Sequence, residues 1–162
     1  MFSGGWVCQV PRFWKISGWE VAGLVRVQSG DMVAVSQATN SNSNLGFGVQ
    51  RPNRVSDPNA FAKRNVAQWF NTGAFRLTPQ FAIGSAPRTP ARGPGLQNAD
   101  LMIGKTFRIK ERVSLEFRAE VFNVTNTPAF NDPNGSFGSS AFGSVTSAGN
   151  PRDFEFALKV HF

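Results

Sequence analysis

Four segments of this chain alternate apolar and polar residues with a period of two, as strands with two different faces do. The clearest is 153–162, whose apolar positions are Phe154, Phe156, Leu158, Val160 and Phe162. Segments near 19–28, 99–109 and 113–124 repeat the pattern less regularly. Because each segment is strand-length, the sequence predicts an all-β fold. The expected form is an open, curved antiparallel sheet of about four long strands with long loops.

The other face of these segments is charged. We assign eight charged residues to it as a lumen-facing set: Glu20, Arg26, Asp100, Arg108, Glu116, Arg118, Glu120 and Lys159. Glu116 and Glu120 would lie about 13 Å apart at ~3.3 Å per residue. That separation exceeds the roughly 5–9.5 Å between the paired carboxylates of glycosidases. We therefore interpret the two acids, with Arg118 between them, as a charge ladder on a polar wall.

The connections between the predicted strands differ greatly in length. Residues 110–112 form a tight polar turn, which predicts an antiparallel hairpin. Residues 29–98 and 127–152 are rich in Asn, Gly, Ser and Pro and are predicted to be long loops. Compact soluble domains rarely contain such loops, whereas outer-membrane β-barrels combine short periplasmic turns with long external loops. We therefore predict a partial transmembrane β-barrel whose two long loops are extracellular.

Composition excludes several classes of function. Cys8 is the only cysteine and His161 the only histidine, so a Cys-based zinc site or a His-rich metal site cannot form. The opening residues lack the basic start and continuous apolar core of a signal peptide, and 1–17 is left as an unassigned leader. We expect no catalytic residue, metal or cofactor, and we expect that the protein is not an enzyme.

Basic residues are concentrated in the longer loop. The chain carries a net charge of +7, and seven basic residues fall between positions 31 and 97: Arg51, Arg54, Lys63, Arg64, Arg76, Arg88 and Arg92. Only Asp31 and Asp57 oppose them there. Such a segment can lie against phosphate-rich lipid headgroups or favour an anionic ligand. Nucleic acid is less favoured as a partner, because no RNP-like, zinc-knuckle or helix-turn-helix pattern is present.

Five ordered blocks occupy much of residues 18–162: GWEVAGLVRVQSGDMVAVS, RPNRVSDPN, QWFNTGAF, FAIGSAPRTPARGPGLQNADLMIGKTFRI and VSLEFRAEVFNVTNTPAFNDPN. They are similar to the C-terminal part of TonB-dependent receptors. The likeness is greatest to the Oar-like branch, whose members usually carry an N-terminal carboxypeptidase-regulatory-like domain. The last strand also resembles the assembly signal of outer-membrane proteins, which ends in an aromatic residue, here Phe162.

The resemblance implies a place in the outer membrane of a Gram-negative-type cell, in contact with lipid and lipopolysaccharide. It also implies that the barrel-assembly machinery recognises the last strand by strand pairing. The resemblance implies that the whole receptor is a barrel of twenty-two strands. It also implies a plug domain and an N-terminal segment that contacts TonB. This chain has no counterpart of either part. We therefore expect 18–162 to be a C-terminal fragment that needs the remainder of the receptor barrel and cannot transport alone.

The alternative is a small soluble β-domain that binds an anionic polymer, nucleic acid or polysaccharide, through the Arg-rich loop. The two hypotheses make opposite predictions about the apolar strand faces. In the soluble domain these faces pack against one another, whereas in the membrane barrel they remain exposed as a band whose natural cover is lipid.

Overall fold

The computed structural model describes residues 1–9, 17–42, 46 and 48–162. In chain order its strands are β1 (Phe2–Gln9), β2 (Trp19–Gln28), β3 (Met32–Val33), β4 (Ser36–Gln37), β5 (Asn53–Arg54), β6 (Phe75–Arg76), β7 (Ala91–Arg92), β8 (Leu96–Lys110), β9 (Val113–Phe122), β10 (Ser136–Phe137) and β11 (Asp153–His161). A 3₁₀ turn at Thr72–Ala74 precedes β6. Within the described residues, no helix is long and apolar enough to cross a membrane.

The chain divides into two compact units. Unit 1 comprises Met1–Gln28, Leu96–Ala129 and Asn150–Phe162, and unit 2 comprises Ser29–Gly95 and Phe130–Gly149. Unit 1 contains a five-stranded antiparallel sheet in the order β1-β2-β8-β9-β11. The predicted all-β fold with an open antiparallel sheet is therefore confirmed.

Four strands of the sheet correspond to the four alternating segments, with β8 starting at Leu96 rather than near residue 99. The fifth strand, β1, lies inside the leader 1–17 that the sequence left unassigned. Residues 10–16 of that leader lie outside the described residues. The expected number of about four long strands was thus too low by one.

Two adjacent glycines explain why the alternation of β1 is hard to recognise in the sequence. Gly4 and Gly5 carry no side chain, so neither face of the strand shows a continuous pattern. Trp6 lies opposite Gly23 of β2, and its indole covers that glycine closely: a Cβ on Gly23 would sit 2.8 Å from the ring. The large ring on one strand fills the space left by the missing side chain on the next, which is a known way to support glycine in sheets.

The segments predicted as long loops are not structureless, because together they form unit 2 with a core of its own. Its buried residues are Val33, Val35, Phe70, Ala74, Phe75, Ala86 and Ala91. Four phenylalanines, Phe70, Phe75, Phe137 and Phe142, pack with ring centroids 5.3–6.4 Å apart, mostly edge to face. Such aromatic pairs add to the stabilisation from burial alone, so the two long connections hold each other in place.

Buried polar side chains connect parts of unit 2 that are distant in sequence. The Thr78 amide donates to Gln37 Oε1 at 2.6 Å, and Asn42 Oδ1 accepts from the Phe81 amide at 2.6 Å. Gln37, Asn42 and Thr78 are all buried. Removing one partner would leave an unpaired buried group at a cost of about 1–3 kcal/mol. Unit 2 is therefore fixed by specific hydrogen bonds as well as by its aromatic core.

A close backbone approach in unit 2 should make one glycine irreplaceable. A Cβ at Gly135 would lie 1.9 Å from the Ala34 carbonyl oxygen, beside the parallel pairing of β4 with β10. Gly135→Ala is expected to destabilise unit 2 by about 1–3 kcal/mol through overpacking. Hydrogen exchange of the Ser36 amide, which donates to the Gly135 carbonyl at 3.0 Å, would measure the loss.

Gly48→Ala is the matched control, because a Cβ at Gly48 would meet no described residue within 4 Å. Equal exchange rates in the two variants would show that unit 2 tolerates a side chain at residue 135.

Candidate functional site

The strand register brings the apolar positions of all five strands onto one face. Val21 lies opposite Ile103, Ile103 opposite Ala119, and Ala119 opposite Phe156. Residues directly opposite each other project from the same side of a sheet. We call this side the apolar face; its large members are Phe2, Trp6, Trp19, Val21, Val25, Val27, Leu101, Ile103, Phe107, Leu115, Phe117, Val121, Phe154, Phe156, Leu158 and Val160.

The apolar face is exposed. Phe156 is 70% exposed, Leu158 67% and Phe154 54%. Fully burying one such side chain is worth about 1.5–3 kcal/mol, so a sheet face built from them needs an apolar cover. Large exposed apolar patches mark contact with a membrane or a partner. An exposed band of this kind is what the membrane hypothesis predicts and the soluble-domain hypothesis does not.

The eight charged residues assigned to the strands lie together on the opposite side, the polar face. Arg118 bridges Glu116 and Glu120 at 3.2 and 3.5 Å, so the charge ladder is present. His161 Nε2 lies 3.1 Å from the second oxygen of Glu116, and Lys159 is opposite Glu116 in the register. Because the ion pairs are partly exposed, each stabilises the fold little. The eight assigned residues, four acids and four bases, share this polar face with Asp153 and Glu155 of β11.

Two concave surfaces lie along unit 1. A groove of about 740 Å³ is lined by four of the eight charged residues, Glu20, Arg108, Glu116 and Arg118, among others. A second, of about 420 Å³, lies towards β1 and includes Val7, Leu24 and Phe122, which project from the polar face. The polar face therefore has an apolar corner, and the contribution of Val7 to it was not predicted because β1 was left unassigned.

Lys105 is a basic residue within the apolar face, opposite Trp19 on one side and Phe117 on the other. Its Nζ donates to the Ser17 carbonyl at 2.7 Å and lies 4.9 Å from the Trp19 ring centroid and 5.5 Å from that of Phe107. A long lysine stem can cover apolar surface while the ammonium reaches a polar environment. Lys105 thus accounts for the interruption in the alternation of β8 without breaking the apolar face.

The predicted assembly signal lies at one edge of the sheet. β11 pairs with β9 on one side, and its other side pairs with no described residue. Phe154, Phe156, Leu158 and Val160 project from the apolar face of β11, while Phe162 follows the strand and is fully exposed. An unpaired strand edge of this kind is a template for pairing with another strand.

All seven basic residues predicted in the long loop are exposed in unit 2: Arg51, Arg54, Lys63, Arg64, Arg76, Arg88 and Arg92. Two of them have local partners: Arg54 lies 3.9 Å from Asp57, and Arg76 donates to the Gly73 and Phe75 carbonyls. Arg51 and Arg88, 37 positions apart, line one pocket of about 370 Å³. The sequence identified the basic residues but not this pairing, because only the folded unit brings the two together.

Among residues 1–9, 17–42, 46 and 48–162, no group of three or more His, Cys, Asp and Glu side chains is placed to hold a metal ion. The features that remain are those of a wall: one exposed apolar face, one charged face, a tight turn at one end of the sheet and long connections at the other. This combination defines the class of outer-membrane β-barrel proteins.

Comparison with known families agrees with the geometry. The family model described as outer membrane beta barrel domain matches residues 4–155, which include most of β1. The chain therefore belongs to the outer membrane beta barrel domain family. Neither the curated proteins nor the solved structures contain a match.

Proposed function

We propose that this chain forms part of the barrel wall of a TonB-dependent receptor of the Oar-like branch. The apolar face contacts outer-membrane lipid, and the polar face lines the lumen. Unit 2 contributes to the extracellular ligand entrance and contacts lipopolysaccharide. The role is structural and non-enzymatic, and the chain does not transport alone. The observation that carries this proposal is the register, which places the large apolar side chains of five strands on one face and the eight assigned charged residues of four strands on the other.

The strand directions indicate what completes the wall. Because every neighbouring pair is antiparallel, the two edge strands, β1 and β11, run in the same direction. Five strands are fewer than the roughly eight of the smallest barrels. An antiparallel barrel that contains this sheet therefore needs an odd number of further strands between the two edges. The remainder of a receptor barrel supplies such strands, and pairing of β11 with the far end of that remainder would close it.

The transcript upstream of the Met1 codon provides the most direct test. We expect an in-frame sequence that encodes an odd number of further alternating strands, a plug domain and a signal peptide. Unrelated upstream sequence, together with expression of the 162-residue chain by itself, would contradict the receptor proposal while leaving the family membership intact.

Deleting Phe162 is expected to reduce outer-membrane assembly of the complete receptor strongly. The deletion removes the exposed aromatic residue at the end of β11 without changing its pairing with β9. Heat-modifiable migration of membrane fractions on gels, which separates folded from unfolded barrels, measures the assembled fraction. Phe162→Tyr keeps an aromatic ring and should assemble normally. Equal assembly of the deletion variant and the parent would exclude Phe162 from the assembly signal.

A further inference from the structure

Two adjoining concavities in unit 2 are assigned no role by the barrel-wall proposal. The first, which we call the arginine pocket, has a volume of about 370 Å³ and is lined by Ala34, Val35, Ser36, Val49, Arg51 and Arg88. The second, the apolar cleft, has a volume of about 230 Å³ and includes Val49, Arg51, Ala82 and Ile83. Val49 and Arg51 belong to both, so one small ligand can occupy the two together.

The main chain at Arg51 and Arg88 is held by specific contacts. Thr78, which is fully buried, donates its hydroxyl to the Arg51 carbonyl at 2.9 Å. Gly84 packs so closely there that a Cβ would lie 1.9 Å from the same oxygen. On the other side, the Arg88 carbonyl accepts from the Val35 amide at 3.4 Å. Fixed backbone positions lower the cost of ordering the two side chains around a ligand.

The apolar cleft is lined by exposed apolar side chains that are not part of the buried core of unit 2. Val49 is 80% exposed and Ile83 76% exposed. The neighbouring Phe81 adopts a left-handed φ of 63° and is 69% exposed, held by the buried Asn42 through bonds to Phe81 and Ala82. A strained backbone maintained by its surroundings is often associated with a binding site.

An unsatisfied polar group also points to a ligand. Gln50, which lines the apolar cleft, is 6% exposed, and its Nε2 has no hydrogen-bond partner among the described residues. A buried donor without a partner costs about 1–3 kcal/mol. A polar atom of a ligand in the cleft would relieve that cost.

The charge of the arginine pocket selects the class of ligand. Its described lining includes two arginines and no acidic residue. Paired guanidinium groups match the oxygens of a phosphate, which they bind by charge-assisted hydrogen bonds. We propose that unit 2 binds a phosphate group carried on a small apolar body, with the phosphate between Arg51 and Arg88 and the apolar body against Val49 and Ile83. Two sources share this chemistry: the headgroup of a phosphorylated lipid and a free phosphate ester.

This inference concerns unit 2 alone: it deepens the proposed contact of unit 2 with lipopolysaccharide and does not depend on the barrel wall of unit 1. Isothermal titration of the full chain in detergent with hexyl phosphate, a water-soluble phosphate ester with a short apolar tail, tests it without requiring membrane insertion. Arg51→Gln and Arg88→Gln are each expected to weaken binding about tenfold, as the loss of one charge-assisted hydrogen bond does. Arg92→Gln is the matched control, since Arg92 is also exposed and is not among the described residues that line either concavity.

The apolar cleft has its own probes. Inorganic phosphate should bind at least about tenfold more weakly than hexyl phosphate, because it leaves the cleft empty and buries no apolar tail. Val49→Glu, at an exposed position, should abolish binding by placing a carboxylate beside the guanidinium groups. Hydrogen exchange of the Val145 amide, bonded to the Val66 carbonyl at 2.8 Å, verifies that each variant keeps unit 2 folded.

Competition distinguishes the two sources of the phosphate. If lipid A in mixed micelles displaces hexyl phosphate, the ligand is a lipid headgroup; if it does not, the ligand is a free ester, and either result supports the pocket. Equal affinities of the parent, Arg51→Gln and Arg88→Gln would overturn the proposal. So would an equal loss in Arg92→Gln, because binding would then depend on overall charge. Neither outcome bears on whether the sheet of unit 1 forms a barrel wall.

Discussion

Replacing Phe75 with alanine is expected to destabilise unit 2 by about 3–5 kcal/mol, the usual cost of removing a buried phenylalanine ring. Phe75 is 1% exposed and its ring contacts Phe70, Phe137 and Phe142 at centroid distances of 5.6–6.4 Å. Because Phe137 and Phe142 belong to the second long connection, the substitution should loosen both connections together. Hydrogen exchange across Ser29–Gly95 and Phe130–Gly149 measures this coupling.

Phe61→Ala provides the control for Phe75→Ala. Phe61 lies in the same unit but is 97% exposed, so the same chemical change should alter stability by no more than about 0.5 kcal/mol. If Phe75→Ala had an effect as small as Phe61→Ala, the two connections would not share a core.

Replacing Phe117 with arginine is expected to cost about 2–4 kcal/mol in a folded barrel if the residue faces the bilayer midplane. Phe117 lies at the middle of β9 on the apolar face, between Lys105 and Leu158, and its ring stacks on Phe156 at 6.4 Å. Urea titration of the complete barrel in lipid vesicles measures the free energy of unfolding.

Thr106→Arg is the matched control for Phe117→Arg. Thr106 lies on the polar face, exposed and opposite Glu116, so a new guanidinium group there should be tolerated. A larger loss of stability for Thr106→Arg than for Phe117→Arg would reverse the assignment of the two faces.

The alternation of apolar and charged residues was sufficient to predict the sheet. In β9 and β11 every second side chain is apolar, and a slip of one residue would exchange the two faces. The sequence therefore specified the apolar face and all eight charged positions of the polar face, and the register shows that the faces of separate strands coincide.

Three features could not be read from the sequence, each for a physical reason. Strand β1 was not predicted because Gly4 and Gly5 interrupt its alternation. It is stabilised instead by a contact across the sheet, in which Trp6 packs over Gly23. The core of unit 2 was not predicted because the strands of that unit are only two residues long. The core also packs residues that are far apart in the chain, such as Val33 and Phe75.

The arginine pocket was not predicted either, because its residues are far apart in the sequence. Arg51 and Arg88 line one pocket only because contacts between distant parts of the chain, such as the hydrogen bond from the Thr78 hydroxyl to the Arg51 carbonyl, fold unit 2. Periodicity reports on contacts between neighbours along a strand, and it contains no information on contacts of this kind.

The central claim is that one face of the sheet contacts lipid and the other contacts water, and site-directed spin labelling along β9 tests it most directly. Single cysteines at positions 114–121, introduced into a Cys8→Ser background, would carry a nitroxide in the membrane-embedded protein. We expect labels at Leu115, Phe117, Ala119 and Val121 to be reached by oxygen dissolved in the bilayer. Labels at Ser114, Glu116, Arg118 and Glu120 should instead be reached by a water-soluble nickel complex. Accessibility without this alternation, or with its phase reversed, would contradict the claim.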